Sequence, residues 1–259
     1  MSDPSAEMRL IGLPGLPEVR PGDDLPNLIG DAIERAGLDL EPGDVLVVTQ
    51  KIVSKAEGRL VHLAEVEPSE LARRVAEQYG KDARQVEVVL REAVRIVRMD
   101  RGIIIAETAH GFVCANAGVD ASNVSAETVC LLPVDPDASA ARIRAALGRR
   151  FGLVDREQPG VIVSDSFGRP WRRGIVNVAI GVAGLAPLAD YRGQYDAAGY
   201  ELSVTVLAVA DELASAAELV MNKLDARPVV LVRGYVPPLA ATPGTARDLV
   251  LDPVRDLFR

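Results

Sequence analysis

An acidic chain of 259 residues with net charge −8 has no excess of basic residues to lay along a nucleic acid, although a local basic pocket for a small anion is compatible with it. Hydrophobic residues make up 48% but aromatics only 4%, so the core must be aliphatic, and no uncharged apolar run reaches the roughly 18 residues of a membrane-spanning helix. Two cysteines and two histidines exclude a disulfide framework and a Cys/His zinc site, so any metal would be held by oxygen, which favours Mg²⁺ or Mn²⁺.

The first residues, 1–7, are polar and acidic, without the basic and apolar regions of a signal peptide, so a cytoplasmic protein is expected. Residues 8–11 read as a strand and 12–19 as a double turn. A helix follows over 25–36, capped by Asp23 or Asp24. The β-branched run 45–49 is a buried strand, with 50–55 continuing from its end. A long helical region begins at 68–70. Leu71, Val75 and Tyr79 recur at helical spacing, as do Val86, Val89, Leu90, Ala93 and Val94 after Gly80. Residues 103–108 and 111–115 have hairpin spacing, and 116–124 is a turn dense in side-chain oxygens. A helix is expected over 138–151, with Ile143, Ala146 and Leu147 on one face.

The short apolar run 161–163 then leads into Ser164-Asp165-Ser166-Phe167-Gly168-Arg169-Pro170-Trp171-Arg172-Arg173-Gly174. Strands are expected over 176–183, 202–208 and 228–234, with a helix over 213–221 and a Pro- and Gly-rich tail that closes on a short helix. Strands and helices alternate without a strict βαβ rhythm, so the pattern predicts an α+β fold with mixed sheets. The whole chain, 1–259, reads as one domain, with two intimately packed α/β subdomains as the alternative.

The chemistry concentrates where apolar runs end. No P-loop, no Gly-x-Gly-x-x-Gly after a strand and no Gly-x-Ser-x-Gly elbow is present. Asp165 and Ser166 offer adjacent hard oxygens, and Arg169, Arg172 and Arg173 follow with three permanent cations; a divalent ion on a phosphate chain needs both kinds of group. An exposed basic turn is the alternative. Asp120 would complete a carboxylate pair with Asp165, or else close an Asx-turn on its own backbone. Lys55 reads as a phosphate-directed point charge or a surface lysine, and both cysteines as small buried hydrophobes. His62 and His110 have no partner pattern. Glu18, Asp211 and Glu212 are the acids in reach of a general-base role.

Four motifs in order carry a resemblance. They are Leu16-Pro17-Glu18-Val19-Arg20-Pro21-Gly22-Asp23-Asp24, Val53-Ser54-Lys55-Ala56-Glu57-Gly58-Arg59, Asn116-Ala117-Gly118-Val119-Asp120-Ala121-Ser122-Asn123-Val124 and the 164–174 segment. From about residue 10 to 235 the chain resembles the coenzyme F420:L-glutamate ligases, or F420-0:gamma-glutamyl ligases, in their stand-alone form without a flavin-binding domain. The resemblance implies the mixed fold of that family, a homodimer, and GTP-dependent ligation. L-glutamate would be joined to F420-0 through an acyl phosphate, first as an amide and then through gamma-linkages. It implies Asp120, Asp165 and Ser166 as ligands of Mg²⁺ or Mn²⁺, two ions per site, with K⁺ as a further cation. It implies Leu16, Pro17, Glu18, Val19, Lys55 and Asn123 as nucleotide contacts, with Gln50 where some members have a serine. The later nucleotide and metal segment falls on Met221, Asn222 and Lys223, where some relatives have Gly followed by Gln or Glu; Lys223 cannot ligate a metal. Arg169, Arg172 and Arg173 are left for the anionic groups of F420-0 and glutamate. Small-molecule substrates follow, with no nucleic acid and no membrane partner. Two other classes use the same residues: a metal-dependent phosphohydrolase or kinase, and a non-catalytic F420-binding module.

Overall fold

The computed structural model describes residues 7–237 and 242–256; most of the N-terminal polar segment and part of the tail lie outside them. The first half contains β1 (Arg9–Gly12), α1 (Leu25–Arg35), β2 (Val45–Thr49), α2 (Gln50–Ala56), β3 (Leu60–His62), α3 (Glu70–Tyr79) and α4 (Ala83–Glu92). There follow β4 (Ala93–Asp100), β5 (Ile103–Thr108), β6 (Val113–Ala115), β7 (Thr128–Cys130), α5 (Pro136–Arg150), β8 (Gly160–Arg169) and β9 (Arg172–Ala183). Four two-residue strands come next: β10 (Ala189–Asp190), β11 (Gln194–Tyr195), β12 (Glu201–Leu202) and β13 (Val206–Leu207). The last long elements are α6 (Val209–Met221) and β14 (Val229–Arg233). The architecture is a mixed α+β fold with several sheets.

The central sheet has the order β1-β14-β2-β8-β9, and only the β2–β8 pair is parallel. Its strands read as unbroken apolar runs because both faces are covered. Leu46 and Val48 of β2 pack with Val161 and Val163 of β8 against Ile29 and Ile33 of α1 and Ile143 and Leu147 of α5. Val45, Val47 and Ile162 point the other way, onto Leu213, Ala214, Ala217 and Met221 of α6. The period-two alternation of each strand therefore feeds two separate cores. Gly181 of β9 lets α5 approach: a Cβ there would stand 2.3 Å from the Pro136 carbonyl oxygen. Asp137 fastens the same contact, accepting from Val182 N at 2.7 Å and Ala246 N at 2.9 Å.

A third apolar cluster joins α3 and α4 to β5 through Ala72, Val75, Ala76, Val86, Val89, Ile104 and Ala106. Gly80, at φ 63°, ends α3. The β4–β5–β6 sheet covers this cluster on one side only.

Several expectations need correction. Residues 50–56 form a helix and not a strand extension, since Gln50 begins a turn that buries Ile52 and Val53. The helical pattern does not run to Ala93 and Val94; both lie in β4, where pairing with β5 overrides it. Leu71 is exposed, and Ala72 and Ala76 take the inner face of α3 with Val75. The expected strand over 202–208 is broken into β12 and β13, which pair with β11 and β10. In the described part of the tail there are two 3-10 turns, Ala246–Leu249 and Pro253–Arg255. Most consequentially, Asp165, Ser166 and Gly168 are not in a turn. β8 runs on to Arg169 and pairs with β9, and the hairpin tip is Pro170 and Trp171.

Candidate functional site

Because β2 and β8 are parallel, their carboxyl ends open at the same edge of the sheet, where open α/β sheets place ligands. A cleft of about 700 Å³ lies there. Its walls come from the 16–19 loop, α2, the 118–123 loop, β8 and the end of α6. It gathers Leu16, Pro17, Glu18, Val19, Gln50, Lys55, Asp120 and Asn123 with Asp165, Ser166, Asn222 and Lys223. Arg169, Arg172 and Arg173 do not line it. They stand farther along the β8–β9 hairpin, with Arg172 and Arg173 exposed beside the equally exposed Trp171. Arg169 Nη2 donates to the Arg173 carbonyl at 3.3 Å, while its buried Nε has no partner.

Asp120 closes the Asx-turn, accepting from Ser122 N at 2.7 Å and Ser122 Oγ at 2.8 Å, and also faces the cleft. It also pairs with Lys51 Nζ, which donates in addition to the Ser122 carbonyl at 2.8 Å. Burial works against the Asp120 charge, but the Lys51 and Ser122 hydrogen bonds win and hold its carboxyl below the usual range. Asp165 is the opposite case. Burial pushes its carboxyl up to about 6, and the Asp120 charge adds to that. The Ser166 backbone, Lys51 and Gln50 only partly offset it.

Ser166 Oγ donates to Asn177 Oδ1 at 2.7 Å and accepts from Lys223 Nζ at 2.7 Å. Asn177 is buried on β9 and donates to Glu218 Oε2 at 2.9 Å. Lys55 is only 6% exposed, so it is not a surface lysine; its ammonium pairs with Glu18 at the cleft wall. Gln50, buried, accepts from Ser54 Oγ at 2.8 Å. Cys114 lines the cleft, but burial, reinforced by Asp165, pushes its thiol up to about 12, so it is no nucleophile. His62 contacts Thr128 and His110 contacts the Pro133 carbonyl, both away from the cleft. Asp211 accepts from Ala179 N at 2.8 Å, and neither it nor Glu212 lines the cleft; Glu18 does.

Lys51, Ser122, Asn177 and Glu218 were not singled out by sequence. Lys51, two residues beyond a buried strand, and Ser122, inside the oxygen-rich turn, carried local signals; Asn177 and Glu218 become site residues through strand pairing and helix packing. Among the described residues no three His, Cys, Asp or Glu side chains converge as a metal cage. The two carboxylates of Asp120 and Asp165 are nevertheless a donor set for an ion that keeps water and phosphate oxygens as its other ligands. The under-compensated Asp165 fits such an ion.

Residues 15–234 match the family model described as F420-0:Gamma-glutamyl ligase. A protein of Methanopyrus kandleri named coenzyme F420:L-glutamate ligase is 48% identical over 255 residues, covering 97% of this chain and 98% of the relative. The Methanothermobacter thermautotrophicus protein of the same name is 45% identical over 251 residues, covering 96% and 98%. That of Methanocaldococcus jannaschii is 43% identical over 221 residues, covering 85% and 86%.

Proposed function

This chain belongs to the F420-0:gamma-glutamyl ligase family and is a ligase, and from that premise we propose that it joins L-glutamate to coenzyme F420-0 with cleavage of GTP. The observation that carries the reading is the meeting of Asp120 and Asp165 with Lys51 and Lys55 in one cleft. Carboxylates there suit a cation, and the lysines suit a phosphate chain.

A carboxylate is a poor electrophile. Transfer of the γ-phosphoryl group of GTP to a carboxylate oxygen of F420-0 releases GDP and leaves an acyl phosphate. The glutamate amine then attacks the carbonyl carbon, phosphate departs, and the nitrogen loses a proton to give the amide. Later rounds repeat this on the side-chain carboxylate of the added glutamate, giving gamma-linkages. Leu16, Pro17, Glu18, Val19 and Asn123 border the nucleotide, with Gln50 and Asn222 beside it. Lys55 and Lys51 face its phosphates as fixed positive charge.

Asp120 and Asp165 would hold Mg²⁺ or Mn²⁺, which would neutralise charge developing on the transferred group; the hydroxyl of Ser166, the third expected ligand, is engaged instead by Asn177 and Lys223, and K⁺ is a further candidate cation. Arg169, Arg172 and Arg173 stand where the anionic ends of F420-0 and glutamate extend beyond the cleft. The working form in this reading is a cytoplasmic homodimer. Mass spectrometry of F420-0 incubated with GTP, Mn²⁺ and glutamate tests it. One glutamyl mass gained per GDP formed is expected, and none when glutamate or GTP is omitted. GTP loss without mass gain points instead to a phosphohydrolase.

A further inference from the structure

At the Ser166 end of the cleft four side chains close a ring. Ser166 donates to Asn177 at 2.7 Å, Asn177 to Glu218 at 2.9 Å, and Lys223 Nζ stands 2.7 Å from Ser166 Oγ and 3.1 Å from Glu218 Oε1. The oxygens are hard donors of the type a divalent ion takes, and an ammonium already sits among them. Glu218 and Lys223 cancel in charge. The other end differs: Lys51 pairs with Asp120, while among the described residues Asp165 takes hydrogen bonds from Gln50 and the Ser166 backbone.

The backbone also delivers this lysine. α6 stops at Met221, and Asn222 takes φ 52° and ψ 160°, close to a region that only glycine enters easily. Its Oδ1 accepts from Lys223 N at 2.7 Å. The turn sends Lys223 back over β8. A strained residue persists only where its surroundings hold it, and here the next residue is the ammonium bound to Ser166.

We propose that Lys223 is a tethered cation that replaces a second divalent ion, so that the cleft takes one ion, at its Asp120–Asp165 end. This rests on the divalent-ion reading above. Lysine has no acceptor with which to ligate a metal, and its charge repels one. In the loaded cleft the ammonium supplies fixed positive charge to the phosphate chain.

Mn²⁺ bound to the full chain with a non-hydrolysable GTP analogue is counted by calorimetry, and the ions' environment is read by electron paramagnetic resonance. Wild type is expected to bind one ion per chain, with the spectrum of an isolated ion. Lys223→Glu is expected to bind two, with the spectrum of a coupled pair. Lys223→Arg keeps the charge and stays at one. Lys223 is more than half exposed, so these variants fold. Two ions in wild type, or one in Lys223→Glu, overturns the proposal while leaving the ion reading intact. No ion in wild type overturns the ion reading itself.

Discussion

The two ends of the cleft are built on neighbouring residues of one strand, yet their charge balance differs. Asp165 follows Val161 and Val163 to the face of β8 that meets α2 and the Asp120 loop. Ser166 follows Ile162 to the face that meets α6. At the first end two carboxylates share one ammonium, and Asp165 is left under-compensated. At the second, one carboxylate is matched by one ammonium. Adjacent oxygens in a sequence therefore do not make one coordination sphere; the pleat of the strand separates them. The anionic end is the one short of a cation.

Asp165→Asn should break this contrast most severely. Ligation should fall by about a thousandfold, the several kcal/mol a metal contributes to phosphoryl transfer. The fold should survive, with a melting temperature no lower than that of wild type, because a desolvated charge without a cation has been removed. A wild-type rate would place the ion elsewhere. Lys55→Met tests the opposite wall. If that buried ammonium faces the GTP phosphates as proposed, its loss should raise the KM for GTP by roughly 10- to 100-fold, from about 1.5–3 kcal/mol per charged hydrogen bond. An unchanged KM would make the lysine purely structural.

Glu87 is the reference for a carboxylate whose charge is fully met. It accepts from Ser69 N at 2.9 Å and Arg91 Nε at 2.8 Å, and these contacts, Ser69 first, bring it down to about 2, against the rise at Asp165. Its folded value lies below its unfolded one, so its stabilisation is present above pH 4.5 and disappears as pH falls toward 2. Glu87→Gln should cost about 1–2 kcal/mol at pH 7, and urea titrations at falling pH should show the gap closing. A gap that widens in acid reverses the assignment. The smallest change is expected from Glu218→Gln. Its ion pair is partly solvated, so thermal stability should move by less than about 1 kcal/mol. A larger loss would show that the Ser166 end holds the fold as well as the cleft.

The central strands and α1 were legible because their signals are local. Residues 45–49 and 229–232 are continuous apolar, Val-rich runs apart from the terminal Thr49, and Asp24 caps α1 through the Asn27 backbone. β8 was truncated in sequence because its apolar run ends at Val163, where the residues turn polar to face the cleft. The bulge in β9, where Ile180 is skipped between the Val163–Gly181 and Ser164–Ala179 pairs, leaves no local mark. Strands of two residues have too short a period to detect, and Ala93 and Val94 fit either spacing until β5 pairs with them. Within the cleft, Asp120, Asp165 and Lys55 were visible as polar groups after apolar runs. Asn177 and Glu218 were not, since each reaches Ser166 or its ring only across a hairpin or from a helix.

The chemistry assigned to the cleft is tested most directly by following oxygen. F420-0 labelled with oxygen-18 in its reacting carboxylate is turned over with GTP and glutamate, and the phosphate is isolated. An acyl-phosphate route places one labelled oxygen in the released phosphate and leaves one in the new amide. Amide product accompanied by phosphate free of label would contradict it.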